Sequence, residues 1–257
     1  MRARKQTLKF RNRPYIISAY AIGGKKEGEG PLHDWFDECL SDDTYGENTW
    51  EKSESRMLKT AMTECMRRGG KTTEEIGAVL SGDLLNQLMS SSFMARDLQI
   101  PFLGMYGACS TMTESLMLGA VLTDGGYSDN VMIGASSHYC TAERQFRLPL
   151  EYGGQRTPTA QWTATAAGAL IFGKSGGEVC AEHVTFGRIT DFGIKDAANM
   201  GAAMAPAAAS TLTAFFSDTQ TKPEDYDAIF TGDLGKVGSA LLLQLLEKNG
   251  LDLSKRH

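Results

Sequence analysis

The sequence predicts an α/β fold made of two similar halves, the second of them incomplete. Three observations carry that expectation. Apolar runs of strand length alternate with stretches of helical periodicity from Tyr15 to Ala135, the order of parallel βαβ units with right-handed crossovers. A signature, Ser81-Gly82-Asp83-Leu84, recurs 150 positions later (232 − 82) as Thr231-Gly232-Asp233-Leu234. Each copy follows an acidic residue pair and an apolar run, and each precedes a helical stretch. The chain has 257 residues, 42% hydrophobic and 22% charged, enough for one large domain or two closely joined ones. The alternative for the repeat is local: Ser/Thr-Gly-Asp is also a common strand-end turn, with Asp capping the next helix.

The elements follow in order. Tyr15 to Ala19 reads as a short strand. Ser53 to Arg68 places Met57, Leu58, Ala61, Met62 and Cys65 on one helix face, and Gly69-Gly70 stops it. Thr73 with Glu74-Glu75 starts a turn into the strand Ile76 to Leu80. Asn86 to Leu98 is helical and is followed by the apolar run Pro101 to Tyr106. Thr111 to Leu122 is helical again, and Asn130 to Ala135 is a strand of the buried kind. Thr141 to Gln161 has little periodicity and many polar and aromatic residues, which marks a functional loop or a lid. Thr163 to Gly173 and Val179 to Ile189 read as two strands of a hairpin joined at Gly176-Gly177. Pro206 to Phe216 reads as a helix with Pro in its first turn, Tyr226 to Phe230 as a strand, and Val237 to Leu246 as an apolar helix. The expected division is therefore a first half over residues 1–189, carrying the loop 141–162, and the start of a second over 190–257. Ninety-one residues separate Gly82 from Gly173 (173 − 82), but only 25 follow Gly232 (257 − 232), so the second half is expected to be truncated.

Composition excludes several classes. Twenty-six basic against 31 acidic residues give a net charge of −5, a poor footprint for nucleic acid. No apolar run approaches the roughly 18 to 20 residues of a membrane span, and Met1 to Tyr15 lacks the apolar core of a secretory signal. Five cysteines without a CxxC pair argue against a disulfide framework or a zinc site.

Chemistry centres on Cys109, at the end of an apolar run and the start of a helix, in Gly107-Ala108-Cys109-Ser110. A tight turn there exposes the thiol, and a helix N-terminus stabilises a thiolate. The alternative is a buried structural cysteine, the fate assigned to Cys39, Cys65, Cys140 and Cys180. His138 follows the strand ending at Ala135 and is either a base approaching Cys109 or a hydrogen-bonded structural histidine. Glu143, Arg144, Gln145, Phe146, Arg147, Tyr152 and Gln155 form a polar and aromatic cluster. Arginine forks match carboxylates and aromatic rings cover flat ligands, so the loop reads as an anion or aromatic-acid site, or else as an interface loop.

The strand, GACST turn and helix at Cys109, together with the repeat, resemble the thiolase superfamily. Longer strings sharpen this: EGEGPL, SGDLLNQ, ARDLQIPFLGMYGACST, GASSHYCTAERQFRLPLEYGGQ, MGAAMAPAA and TGDLGKVGS. Over nearly the whole chain these resemble the stage V sporulation protein AD family of spore-forming bacteria. The resemblance implies duplicated βαβαβ halves in a layered α/β sandwich. It implies the soluble component of the apparatus that moves dipicolinic acid, with calcium, into the forespore and out at germination. That component works at the spore inner membrane beside membrane proteins encoded in the same operon. Cys109 matches the thiolase nucleophile position. The expected ligand site comprises Asp83, Cys109, Ser110, His138, Glu143, Arg144, Gln145, Arg147 and Tyr152, with Tyr106 and Phe146 as further stacking faces. No cofactor or resident metal is expected. Calcium enters as part of the ligand, and Asp83 and Glu143 are its candidate oxygen donors. Thiolase-like folds usually pair near the Cys loop, so a homodimer is compatible with the resemblance. Enzymes of this superfamily take a further catalytic His from the second half, and no such motif follows Gly232. The expected protein is a non-catalytic binder, with a Cys109-dependent acyl-transferring or condensing enzyme as the alternative.

Overall fold

The computed structural model describes residues 6–85, 88–146, 162–196 and 199–257. The chain divides into two compact units. Among the described residues the larger holds Phe10 to Phe146 and Trp162 to Glu182, and the smaller holds Gln6 to Lys9 and His183 to His257.

Strand β1 (Thr7–Lys9) belongs to the smaller unit. The larger begins with β2 (Tyr15–Gly23), a one-turn helix α1 (Lys25–Gly28) and β3 (Glu38–Cys39). Then come α2 (Trp50–Arg68), β4 (Ala78–Asp83), α3 (Met89–Leu98), β5 (Phe102–Gly104) and α4 (Thr111–Asp124). It ends with β6 (Asn130–Ser137), α5 (Tyr139–Phe146), β7 (Ala166–Gly173) and β8 (Val179–Cys180). The sheet runs β3-β2-β7-β6-β4-β5, with β8 paired to the start of β2. Strand β7 is antiparallel to its neighbours β2 and β6, while β4 is parallel to β5 and β6.

Alternation along the strands sorts the core. Met132 and Ile171 join Ile22 and Val79 against the α2 stripe Met57, Leu58, Ala61, Met62 and Cys65. Burying each such side chain contributes about 1.5–3 kcal/mol. Val131, Ile133 and Phe172 point the other way, toward α4, where Gly119 lets the helix lie close: a Cβ there would sit 2.8 Å from Ile133. Thr49 caps α2, its side chain accepting the Lys52 N–H.

Tertiary pairing changed several expectations. The strand at Tyr15 extends to Gly23 because β7 pairs along it. Gly176-Gly177 does not join a hairpin: β7 and β8 both pair with β2, and a Cβ on Gly177 would meet the Ile16 carbonyl at 2.0 Å. The expected strand Val179 to Ile189 is two short pieces, β8 and β9 (His183–Thr185), with different partners. The expected loop from Thr141 opens inside α5. Residues 147–161 lie outside the described residues.

In the smaller unit β1 pairs antiparallel with β9, and Asp218 accepts the N–H groups of Gln6 and Thr7. Helices α6 (Met200–Thr219) and α7 (Gly235–Glu247) pack through Ala205, Ala209, Phe216, Leu242 and Leu246. Their backbones touch at Gly201 and Gly238, where a Cβ on Gly201 would lie 2.2 Å from the Leu234 carbonyl. Helix α6 begins six residues before Pro206, capped by Asn199 on Ala202, so this proline sits in the helix interior instead of the first turn. Tyr226 to Phe230 is not a strand. Among the described residues no strand runs beside it, and Phe230 is 92% exposed.

Candidate functional site

Cys109 sits in a 3₁₀ turn, Ala108–Ser110, between β5 and α4. The turn is placed by Gly82 on the neighbouring strand. A Cβ on Gly82 would lie 1.9 Å from the Met105 carbonyl and 2.9 Å from the Thr111 methyl, so only glycine admits the loop there. Met105 N–H donates to the Ser81 carbonyl at 2.9 Å, continuing the β4–β5 ladder to the lip of the turn. The turn closes on its own hydroxyls. Ser110 Oγ donates to the Gly107 carbonyl at 2.7 Å and Thr111 Oγ1 to the Ala108 carbonyl at 2.9 Å, while Gly107 N–H donates to Thr111 Oγ1. Ala108 has φ +49°, a left-handed conformation that costs an alanine about 1–2 kcal/mol and is held by these bonds. The result is an exposed Cys109 and an exposed Ser110 at the entry to a fourteen-residue helix. Of the other cysteines Cys65 is buried, Cys140 and Cys180 are half-buried and Cys39 is exposed. Burial pushes the Cys65 thiol up to about 11.

His138 is not presented to Cys109 as a free base. Its ring is fully buried. Nδ1 accepts the Cys140 N–H at 3.1 Å, which leaves the proton on Nε2 to donate to the Asp43 carbonyl at 2.9 Å. Trp50 packs on the ring at 5.2 Å between centroids. His138 thereby ties the end of β6 and the start of α5 to the segment before α2.

Asp83 is buried as well. Its Oδ2 accepts the Ser91 N–H and Ser91 Oγ, both at 2.8 Å, while Oδ1 is buried without a partner. Burial pushes this carboxyl upward, opposed chiefly by the Ser91 bonds. Beside it lies Glu54 of α2, fully buried, bridging Ser136 Oγ of β6 and Thr141 Oγ1 of α5 at 3.0 Å each. Burial, and next the charge of Asp83, push Glu54 up to about 7. Asp83 thus ties the end of β4 to the start of α3 and is not exposed to a ligand or a calcium ion.

Helix α5 carries Glu143, Arg144, Gln145 and Phe146, whose side chains lie outside the described ones. Arg147, Tyr152 and Gln155 lie outside the described residues altogether. The N-terminus of α5 is tied to the segment leading into β7, because Tyr139 N–H donates to Thr165 Oγ1 at 3.0 Å. On that segment Trp162 stacks with Tyr139 at 4.9 Å and carries the Lys26 ammonium over its ring at 3.1 Å.

Glu54, Asp43, Lys26, Trp50 and Trp162 were not singled out from sequence. Glu54 had a signal: it stands three and four residues before Met57 and Leu58, in phase with the apolar stripe. A carboxylate in that phase has to be buried and bonded. The others come from distant segments and carry no pattern. Among the described residues no group of three or more His, Cys, Asp or Glu is arranged to hold a metal ion. No helix of the described residues is long and apolar enough to cross a membrane.

Comparison with known proteins adds the following. A family model described as stage V sporulation protein AD matches residues 4–257. Stage V sporulation protein AD of Bacillus subtilis (strain 168) is 40% identical over 253 residues, which is 98% of this chain and 75% of that protein. Cerulenin-bound OleA of Xanthomonas campestris superposes with a TM-score of 0.67 at 14% identity, covering 100% of this chain and 85% of that one. 3-Oxoacyl-[acyl-carrier-protein] synthase III of Aquifex aeolicus VF5 superposes with a TM-score of 0.57 at 12% identity, covering 95% and 83%. Those two likenesses show the fold, which is thiolase-like.

Proposed function

The chain belongs to the stage V sporulation protein AD family, and from its role in sporulation we propose that it binds dipicolinic acid without turning it over. The observation that carries this is the state of His138, the candidate base. It is buried and spends both ring nitrogens on backbone groups. Cys109 is therefore exposed beside a helix start with His138 not free to take its proton, which suits binding better than acyl transfer.

The ligand is a flat ring with two carboxylates. The turn Cys109-Ser110 and the first N–H groups of α4 offer one anion contact. Arg144 on α5 and Arg147 supply the planar forks for the other, with Gln145 and Glu143 beside them and Tyr152 as the stacking face. Calcium arrives as part of the ligand. Movement of calcium dipicolinate into the spore and out at germination then depends on membrane proteins of the same operon, at the spore inner membrane. A Cys109-dependent acyl-transferring or condensing activity is the second reading, favoured by the strained Ala108 that presents the thiol.

Isothermal titration with dipicolinate, with and without calcium, tests this. Saturable binding is expected, weakened at least about tenfold by Arg144→Ala or Arg147→Ala, the loss of one charge-assisted contact. Absence of saturation in the unaltered protein overturns it. Incubating the same samples with an acyl thioester and reading intact mass decides the second reading: a mass gain that vanishes in Cys109→Ser supports it.

A further inference from the structure

We propose that Glu54 is a positioning residue for the ligand site, holding the first turn of α5 in place as a protonated acid and releasing it when it ionises. This role rests on the dipicolinate reading above for its ligand, but not for its mechanism.

The geometry favours a proton at this position. Thr141 Oγ1 lies 2.9 Å from the His138 carbonyl and 3.0 Å from Glu54 Oε2. A hydroxyl has one proton to give, and a carbonyl and an ionised carboxylate are both acceptors only. An ionised Glu54 would have to share the single Thr141 proton with the His138 carbonyl; with a proton on Glu54 Oε2, donated to Thr141, which donates onward to His138, both contacts are full hydrogen bonds. The other carboxyl oxygen, Oε1, accepts from Ser136 Oγ at the end of β6. One neutral carboxylic acid therefore links α2, β6 and the first turn of α5. Arg144 stands one turn further along the same helix.

The surroundings hold the proton there. The charged group facing Glu54 from its neighbours is Asp83 on β4. Asp83 accepts N–H groups from the start of α3, which favour its ionised form. The pair thus divides its roles, with the charge on Asp83 and the proton on Glu54. From α3, Ser90 presents a hydroxyl, and from the β6–α5 turn His138 meets Glu54 only through Thr141, its own ring nitrogens facing Asp43 and Cys140. Ionisation of Glu54 would leave two buried carboxylates side by side and strip Thr141 of one bond. The N-terminus of α5 is tied to α2 and to the segment before it through that hydroxyl and His138, and to the segment before β7 through Tyr139.

Glutamine reproduces the neutral acid: its carbonyl accepts from Ser136 and its amide donates to Thr141. Hydrogen exchange of α5 at pH 6 and pH 8, corrected for the intrinsic rate, is the direct test and needs no ligand. In the unaltered full chain the protonated population falls about tenfold across that range, and α5 protection is expected to fall with it, by up to about tenfold. Glu54→Gln is expected to keep the pH 6 protection at pH 8. Thr141→Val, which cuts the link but keeps the carboxyl, is expected to lose protection at both. Dipicolinate affinity should follow the same pattern in all three proteins. If Glu54→Gln retains the pH dependence of the unaltered chain, or the unaltered chain shows none, the proposal is overturned. If α5 behaves as described but no protein binds dipicolinate, it is the ligand reading that fails and Glu54 keeps its role.

Discussion

Ser81-Gly82-Asp83-Leu84 and Thr231-Gly232-Asp233-Leu234 are nearly the same peptide in different surroundings. The first closes a strand paired on both sides, to β5 and β6. Its glycine lies against the Met105 carbonyl, and its aspartate is fully buried on Ser91. The second has no strand before it. A Cβ on Gly232 would meet nothing within 4 Å, and Asp233 is exposed, accepting the N–H of Gly235 two residues on. The peptide itself encodes a glycine turn with an aspartate aimed at the following backbone. Neighbouring strands bury the first copy and fix it against the Cys109 turn. Without them the second remains a local cap.

The contrast is sharpest at glycine. Gly82→Ala is expected to cost about 4 kcal/mol or more in urea denaturation, because a backbone carbonyl cannot move aside, while Gly232→Ala stays within about 0.5 kcal/mol. Equal costs would break the comparison. The next effect is titration of the buried acid beside the first copy. The folded state holds a proton on Glu54 up to about pH 7, whereas an unfolded glutamate releases it near 4.5. That stability is complete below about 4.5 and is lost as pH rises through about 7, up to about 3 kcal/mol in total. Denaturation curves across that window should show the decline, and Glu54→Gln should flatten it. The smallest effect compares the aspartates. Asp83→Ala leaves a buried Ser91 N–H without its acceptor and is expected to cost about 2 kcal/mol, against about 0.5 kcal/mol for Asp233→Ala in the same measurement.

Most of the larger unit was legible because its periodicities are strong. The α2 stripe from Met57 to Cys65 and the buried run in β6 follow directly from spacing. Errors fell where pairing, not pattern, decides. Gly176-Gly177 has the composition of a hairpin, yet the two strands it joins pair separately with β2. Tyr226 to Phe230 has the composition of a strand but nothing to pair with among the described residues. Pro206 looks like a helix start, but the alanine-rich segment before it is helical from Met200 onward. At the site, Cys109 was legible because strand, small residues and helix are contiguous there. The bonding of His138 was not, since Asp43 lies 95 residues away in the chain.

By itself the sequence determined the alternation of strands and helices, the cysteine at a helix start, the repeated glycine–aspartate turn and the family. All of these are local patterns or strings, written within a few residues of one another. The tertiary structure decided which copy of the repeat is buried, that Cys109 is exposed, that His138 is committed to backbone partners, and that Glu54 is buried within reach of the Asp83 charge. Those outcomes depend on strand pairing and desolvation among segments far apart in the chain. A residue's protonation and exposure follow from what is packed around it, and packing is not a property of its neighbours in sequence.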